Sequence, residues 1–224
     1  MGRREKPVCR KVPESAKLAN YLRSIRELAG LTYPELAGRA SSSAATLKRA
    51  ASGNCVPKRA VIEDFAAACA ANDSEKESMV ATAIRLWRRA RYAERRPGSA
   101  YQTPCPQYIG EFRDMSVALR DLHAWAGFPS SHDMERRAGG FGLLPHSTAH
   151  RVTTARTVPN SPEQLIAYLV ACEEPSDRHK LWRDAYRACA KELPPATDPD
   201  GSTEATVLPI RPLPGEAREE SKLA

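Results

Sequence analysis

Six landmarks occur twice in this chain in the same order, and that duplication constrains the fold more than any single motif. Leu22-Arg23 with Ala29-Gly30-Leu31 returns as Leu119-Arg120 with Ala126-Gly127-Phe128. Arg39-Ala40 returns as Arg137-Ala138, and Thr46 with Arg49 returns as Thr148 with Arg151. Val56-Pro57, Ala68-Cys69 and Leu86-Trp87-Arg88 have counterparts in Val158-Pro159, Ala171-Cys172 and Leu181-Trp182-Arg183. Stacked repeat architectures need at least about three units to bury a continuous core. Two copies therefore read as tandem domains.

The apolar spacing inside the first copy is helical throughout. Leu18, Leu22, Ile25 and Leu28 share one face, and Gly30 stands where a helix would stop. Thr32 is placed to cap a second, short helix with Pro34 in its first turn and Leu36, Ala37 and Ala40 inward. Ser41-Ser42-Ser43 supply a turn and a cap for a third helix over 44–51, anchored by Leu47 and ended at Ser52-Gly53-Asn54. A fourth helix follows Pro57 with Ile62, Phe65, Ala66 and Cys69 on one face. A fifth runs from near Ser74 toward Arg96 through Met79, Ala83, Leu86, Trp87 and Ala90. No useful length alternates with period two, so no strand is expected. The fold class is all-α: two tandem five-helix bundles.

Charge and breakers set the boundaries. The net charge is +7, and all of the positive excess lies in the first 96 residues, whereas 110–193 balance and 194–224 are net −3. This gives a basic N-terminal arm at 1–16, a first domain at 17–96, a Pro- and Gly-containing linker at 97–109 and a second domain at 110–193. A Pro-rich acidic tail at 194–224 lacks the apolar density for a core and is expected to be disordered. The six cysteines come no closer than 14 apart, which disfavours a Cys-rich zinc site; Cys69 and Cys172 lie on apolar stripes as reduced core residues. With no apolar run long enough to span a bilayer and no signal-peptide core, a soluble cytoplasmic chain is expected, without membrane partners.

Helix two, a tight turn and helix three form a helix-turn-helix pattern. Small residues at Ala37 and Ala40 let the two helices cross closely, while Leu36 and Leu47 anchor them. The third helix is then free to lie in a major groove. The stretch from Leu31 to Gly53 resembles the phage-repressor (Xre/Cro/C1) family of five-helix DNA-binding domains, whose spacing it fits without a gap. Val56-Pro57 and the following helix resemble the version common in high-GC bacteria. The resemblance implies a sequence-specific transcriptional regulator, nucleoid-associated, with double-stranded DNA as partner. Carried over residue by residue, its base and phosphate contacts fall on Thr32, Tyr33, Ser42, Ser43, Ala44, Ala45, Thr46, Lys48 and Arg49. Alanines at 44 and 45 can touch a thymine methyl but donate no hydrogen bond. Two bland readings stand beside these: Tyr33 packing on helix three, and Arg49 pairing with Glu35 or Asp64.

Further candidates are weaker. Arg3 and Arg4 of the arm resemble arms that enter a minor groove. The run Arg85, Arg88, Arg89, Arg91, Arg95 and Arg96 reads as a solvated helix face that still raises the local field. In the second copy Ala138 to Thr148 spans ten residues where Ala40 to Thr46 spans six, so its turn is degenerate. His146, Ser147, His150 and Arg151 would line its third helix. This copy reads as an accessory or dimerising unit, with a second DNA reader as the alternative, and helix five of the first copy is another possible homodimer face. His146 and His150, one helical turn apart, make a possible metal pair that no Cys or acid completes locally, so no metal or other cofactor is expected. No phosphate loop or nucleophile elbow appears, and an enzyme is not expected. The rivals are a protein-interaction module of antitoxin or anti-regulator type and a nucleoid-type binder with little sequence preference.

Overall fold

The computed structural model describes residues 5–140 and 142–191. Arg3, Arg4 and the tail at 194–224 lie outside the described residues. Among those described there are ten α-helices and no strand, as the all-α class requires. The chain divides between Gln102 and Thr103 into two compact units.

The first unit holds α1 (Pro13–Leu28), α2 (Tyr33–Arg39), α3 (Ala44–Ala50), α4 (Arg59–Cys69) and α5 (Asp73–Arg95). The end of α1 shows how local sequence sets the path. Gly30, at φ +67°, lets its N–H reach the Glu27 carbonyl (3.0 Å) while the Leu31 N–H reaches that of Arg26 (3.2 Å). This closure of orphan carbonyls turns the chain and buries Leu31. It also overturns one expectation: Leu28, placed inward by its spacing, is 81% exposed, because the apolar place after Ile25 is filled by Leu31 from beyond the turn. The core is built on Leu18, Leu22, Leu36, Leu47, Ile62 and Phe65, all within 1% of complete burial. Each such side chain contributes roughly 1.5–3 kcal/mol. Met79 and Leu86 sit half-buried at its edge. The Trp87 indole N–H donates to the Pro57 carbonyl (2.8 Å), fixing the connection between α3 and α4.

The described residues of the basic N-terminal stretch are built into the first unit. Residues 13–16 form the first turn of α1, with Ser15 and Ala16 buried. The preceding residues strap the bundle. The Cys9 N–H donates to the Ser52 carbonyl (2.9 Å), and Arg23 donates to the carbonyls of Lys6 (2.9 Å) and Ala51 (2.8 Å). Gly53, at φ +75°, is where the strap presses closest. A Cβ there would meet the Cys9 carbonyl oxygen at 2.8 Å and Val8 Cγ1 at 2.9 Å.

The second unit holds α6 (Phe112–Trp125), α7 (Ser131–Arg137), α8 (His146–Thr153), α9 (Pro162–Ala171) and α10 (His179–Lys191), with single 3₁₀ turns at Pro106–Tyr108 and Ser176–Arg178. Gly127, at φ +86°, closes α6 as Gly30 closes α1, its N–H on the Ala124 carbonyl (3.0 Å) and that of Phe128 on His123 (3.0 Å). Leu122, Val152, Leu169 and Trp182 are completely buried, whereas Trp125 is half-buried at the margin. Trp182 donates to the Glu174 carboxylate (3.1 Å), which Arg178 also neutralises (3.0 Å), so this buried charge is paired. Tyr101 packs edge-on against Tyr92 (5.2 Å) in the first unit, and Pro106 and Ile109 are buried in the second. Among the described residues no helix is long and apolar enough to cross a membrane.

Candidate nucleic-acid interface

α2, residues 40–43 and α3 form the helix-turn-helix unit, and a side chain from α4 holds its turn. The Asp64 carboxylate accepts from the backbone N–H and the hydroxyl of Ser41, both at 3.0 Å. Burial by itself would raise its pKa, but donation from Ser41 and Ser42 outweighs this and holds the carboxyl below its usual range. Ser42, a candidate contact, thus helps to bind the turn to α4. Ser43 caps α3: its hydroxyl oxygen accepts from the Thr46 N–H (3.3 Å) and lies 3.0 Å from the Thr46 hydroxyl.

Leu47 and Ala50 are the buried face of α3; Ser43, Ala45, Lys48 and Arg49 are its exposed face, with Ala44 and Thr46 between. The two acids considered as partners of Arg49 are engaged elsewhere. Asp64 holds the turn, and Glu35 accepts from the Thr32 N–H (2.8 Å) and hydroxyl (2.7 Å). That capping box closes when the Glu35 N–H donates back to the Thr32 hydroxyl. Hydrogen bonds from the Thr32 backbone and side chain lower the Glu35 pKa. The start of α2 therefore already carries a carboxylate, and a phosphate there would have to displace it.

Tyr33 is half-buried and packs against the core cluster of the first unit. Its hydroxyl donates to Glu5 (2.7 Å), and its ring lies under the Arg26 guanidinium, 4.7 Å from the centroid. Glu5 is ion-paired with Arg23 (3.1 Å) and Arg26 (3.3 Å). Burial first, then the hydrogen bond to Glu5 and its charge, push the Tyr33 pKa well above normal. Sequence reading missed this cluster, because nothing periodic links Glu5 to residues so far along the chain.

The other basic candidates are partly committed to structure. On α5, Arg91 pairs with Glu94 (2.8 Å) and Arg89 lies 5.6 Å from the Tyr101 ring centroid; just past its end, Arg96 lies 5.8 Å from that of Tyr92. In the second unit Ser147 and His150 are exposed, Arg151 is half-buried, and His146 is engaged by Glu135 (3.2 Å). On α3, a short, capped, core-anchored helix, Lys48 and Arg49 are exposed with no acidic partner among the described residues.

Residues 17–79 match a family model described as a helix-turn-helix domain. The match runs from α1 into the first turns of α5 and takes in no part of the second unit. No curated protein and no solved structure gives a match. At this coarse level the match to a helix-turn-helix domain suggests a DNA-binding regulator.

Proposed function

We propose that the chain is a sequence-specific transcriptional regulator of the Xre type that inserts α3 into the major groove of duplex DNA. The observation that carries this reading is the outer face of α3. Lys48 and Arg49 are exposed there without an acidic partner among the described residues, beside the small Ala45, while Leu47 and Ala50 hold the inner face rigid. Ala45 is small enough to let the helix approach the base edges and to meet a thymine methyl; Thr46, Lys48 and Arg49 supply the hydrogen-bonding chemistry. Phosphate neutralisation supplies most of the affinity, so binding weakens as salt rises. The first domain is taken as 17–96. The second, 110–193, is a degenerate copy that adds an accessory or dimerising surface; a dimer would engage half-sites about 10 bp apart.

One observation favours a protein-interaction module instead. Glu35 lies on the α2 N-terminus and Glu5 on Tyr33, which puts negative charge where the family would contact phosphate. Titration of a labelled duplex from the chain's own upstream region at several salt concentrations separates the readings. Tight binding to that region, lost on random DNA, supports the regulator, and sequence-blind binding supports a nucleoid-type role. No binding at low salt supports the interaction module. Replacing both Lys48 and Arg49 by Ala should weaken specific binding at least about tenfold, or some 1.4 kcal/mol.

A further inference from the structure

The second unit collects metal-binding side chains that have no part in groove reading. His132 and Glu135 lie three residues apart on one face of α7, and His146 is the first residue of α8. The imidazoles of His132 and His146 stack with centroids 4.5 Å apart and planes 26° from parallel. Glu135 Oε2 lies 3.2 Å from His146 Nδ1. One possible ligand atom from each residue falls within 4.8 Å of the other two. A tetrahedral first-row ion, with ligands at roughly 2.0–2.2 Å, sets its ligand atoms about 3.3 Å apart. The three groups are thus already gathered, and small rotations of half-exposed side chains bring them into range.

We propose that His132, Glu135 and His146 form a site for a divalent transition-metal ion, with zinc as the best chemical fit, that ties α7 to α8. Two imidazole nitrogens and one carboxylate oxygen suit zinc, cobalt or nickel; calcium and magnesium take oxygen ligands. Three protein ligands leave one position for water. The nearest cation on α7, Arg136, is bound to Asp133, which lessens its repulsion of an incoming ion. Of the remaining histidines, His123 and His179 are engaged by the carbonyls of Pro129 (2.8 Å) and Glu174 (2.9 Å), and His150 lies outside the cluster.

The placement gives the ion a structural role. α7 ends with Gly139 and Gly140 at positive φ, and Gly142 follows in the same region, so the connection to α8 is conformationally permissive. The metal bridges the two helices across that connection and fixes the first turn of α8. It also takes up His146, withdrawing it from any other contact. This reading is independent of whether the chain binds DNA.

The test uses the full chain without a histidine tag, stripped with chelator and titrated calorimetrically with zinc chloride. Cobalt chloride then serves as the visible-absorption probe. One zinc per chain is expected at micromolar affinity or tighter, with a cobalt spectrum of low-coordinate type and a zinc-dependent rise in the melting temperature of the second unit. His132→Ala and His146→Ala should each weaken binding at least about a hundredfold and abolish the thermal shift, and Glu135→Gln should weaken it about tenfold. His150→Ala should bind as the parent does. All three cluster residues are at least partly exposed, so unchanged circular dichroism of the metal-free variants establishes that they fold. No binding, or only millimolar, multi-site binding, in the parent would overturn the proposal. So would parent-like binding by His132→Ala, or loss of binding in His150→Ala.

Discussion

The α2–α3 and α7–α8 segments are alike in helix length and buried anchors but differ in what holds the turn and what covers the outer face. In the first unit residues 40–43 are short, and Asp64 clamps them from α4. In the second, residues 138–145 carry glycines at positive φ, and the fully buried Leu144 pins the turn to the core from within. The first unit's third helix shows exposed Lys48 and Arg49; the second's begins with a histidine already bonded to a glutamate. The bundles fold by the same apolar logic, so the difference between them lies in the turn and a handful of surface residues.

The largest expected effect tests whether the two cores are separate. Trp182 is completely buried in the second unit, and Trp182→Ala should cost about 3–5 kcal/mol there. Calorimetry should show one transition lowered, with specific DNA binding by the first unit kept. A common loss of both transitions would mean that the units fold as one.

The next tests the strap. Gly53→Ala puts a Cβ within 2.8 Å of a backbone oxygen at a left-handed position, and a loss of about 1–3 kcal/mol is expected from chemical denaturation. Gly98 has similar φ with nothing within 4 Å, so Gly98→Ala should cost less. Equal losses would show that backbone conformation alone, and no close packing of the strap, explains Gly53.

The double Lys48→Ala, Arg49→Ala variant comes next, with its tenfold or greater loss of specific DNA affinity. Arg151→Ala, at the matching place in α8, should change affinity by less than about twofold, since the second unit is electroneutral over 110–193. Reversal of these two results would assign reading to α8.

Much of the architecture was legible because helix periodicity and helix punctuation are local. Gly30, Thr32, Ser43 and Leu47 announce their roles within one turn of sequence. What escaped was tertiary and polar. Glu5 reaches Tyr33, Arg23 and Arg26 through a strap with no period, and Asp64 serves a turn more than twenty residues earlier. The histidine cluster escaped for a related reason: His146 was matched with His150 along one helix, whereas its neighbours come from the helix before. Leu28 shows the converse, a residue with correct spacing displaced by the turn that follows it.

Asp64 supplies the subtler contrast. Its hydrogen bonds with Ser41 have no counterpart among the described residues of the longer turn of the second unit, so Asp64→Asn should destabilise the first unit alone, by about 1–2 kcal/mol. The sign of its pH dependence follows from the depressed pKa. The contribution is present above the ordinary carboxylate value near 3.8 and is lost as pH falls through the lower folded-state value. The stability difference between parent and Asp64→Asn should therefore shrink on acidification.

The smallest effect belongs to Leu28, whose repeat counterpart is Trp125. Leu28→Ala removes a side chain that is 81% exposed and should change stability by less than about 0.5 kcal/mol. Trp125, half-buried against its core, should cost more when cut to Ala. If Leu28→Ala leaves folding intact yet weakens DNA binding or self-association, this exposed leucine beside the helix–turn–helix is a contact surface of the first unit, a use that Trp125 does not share.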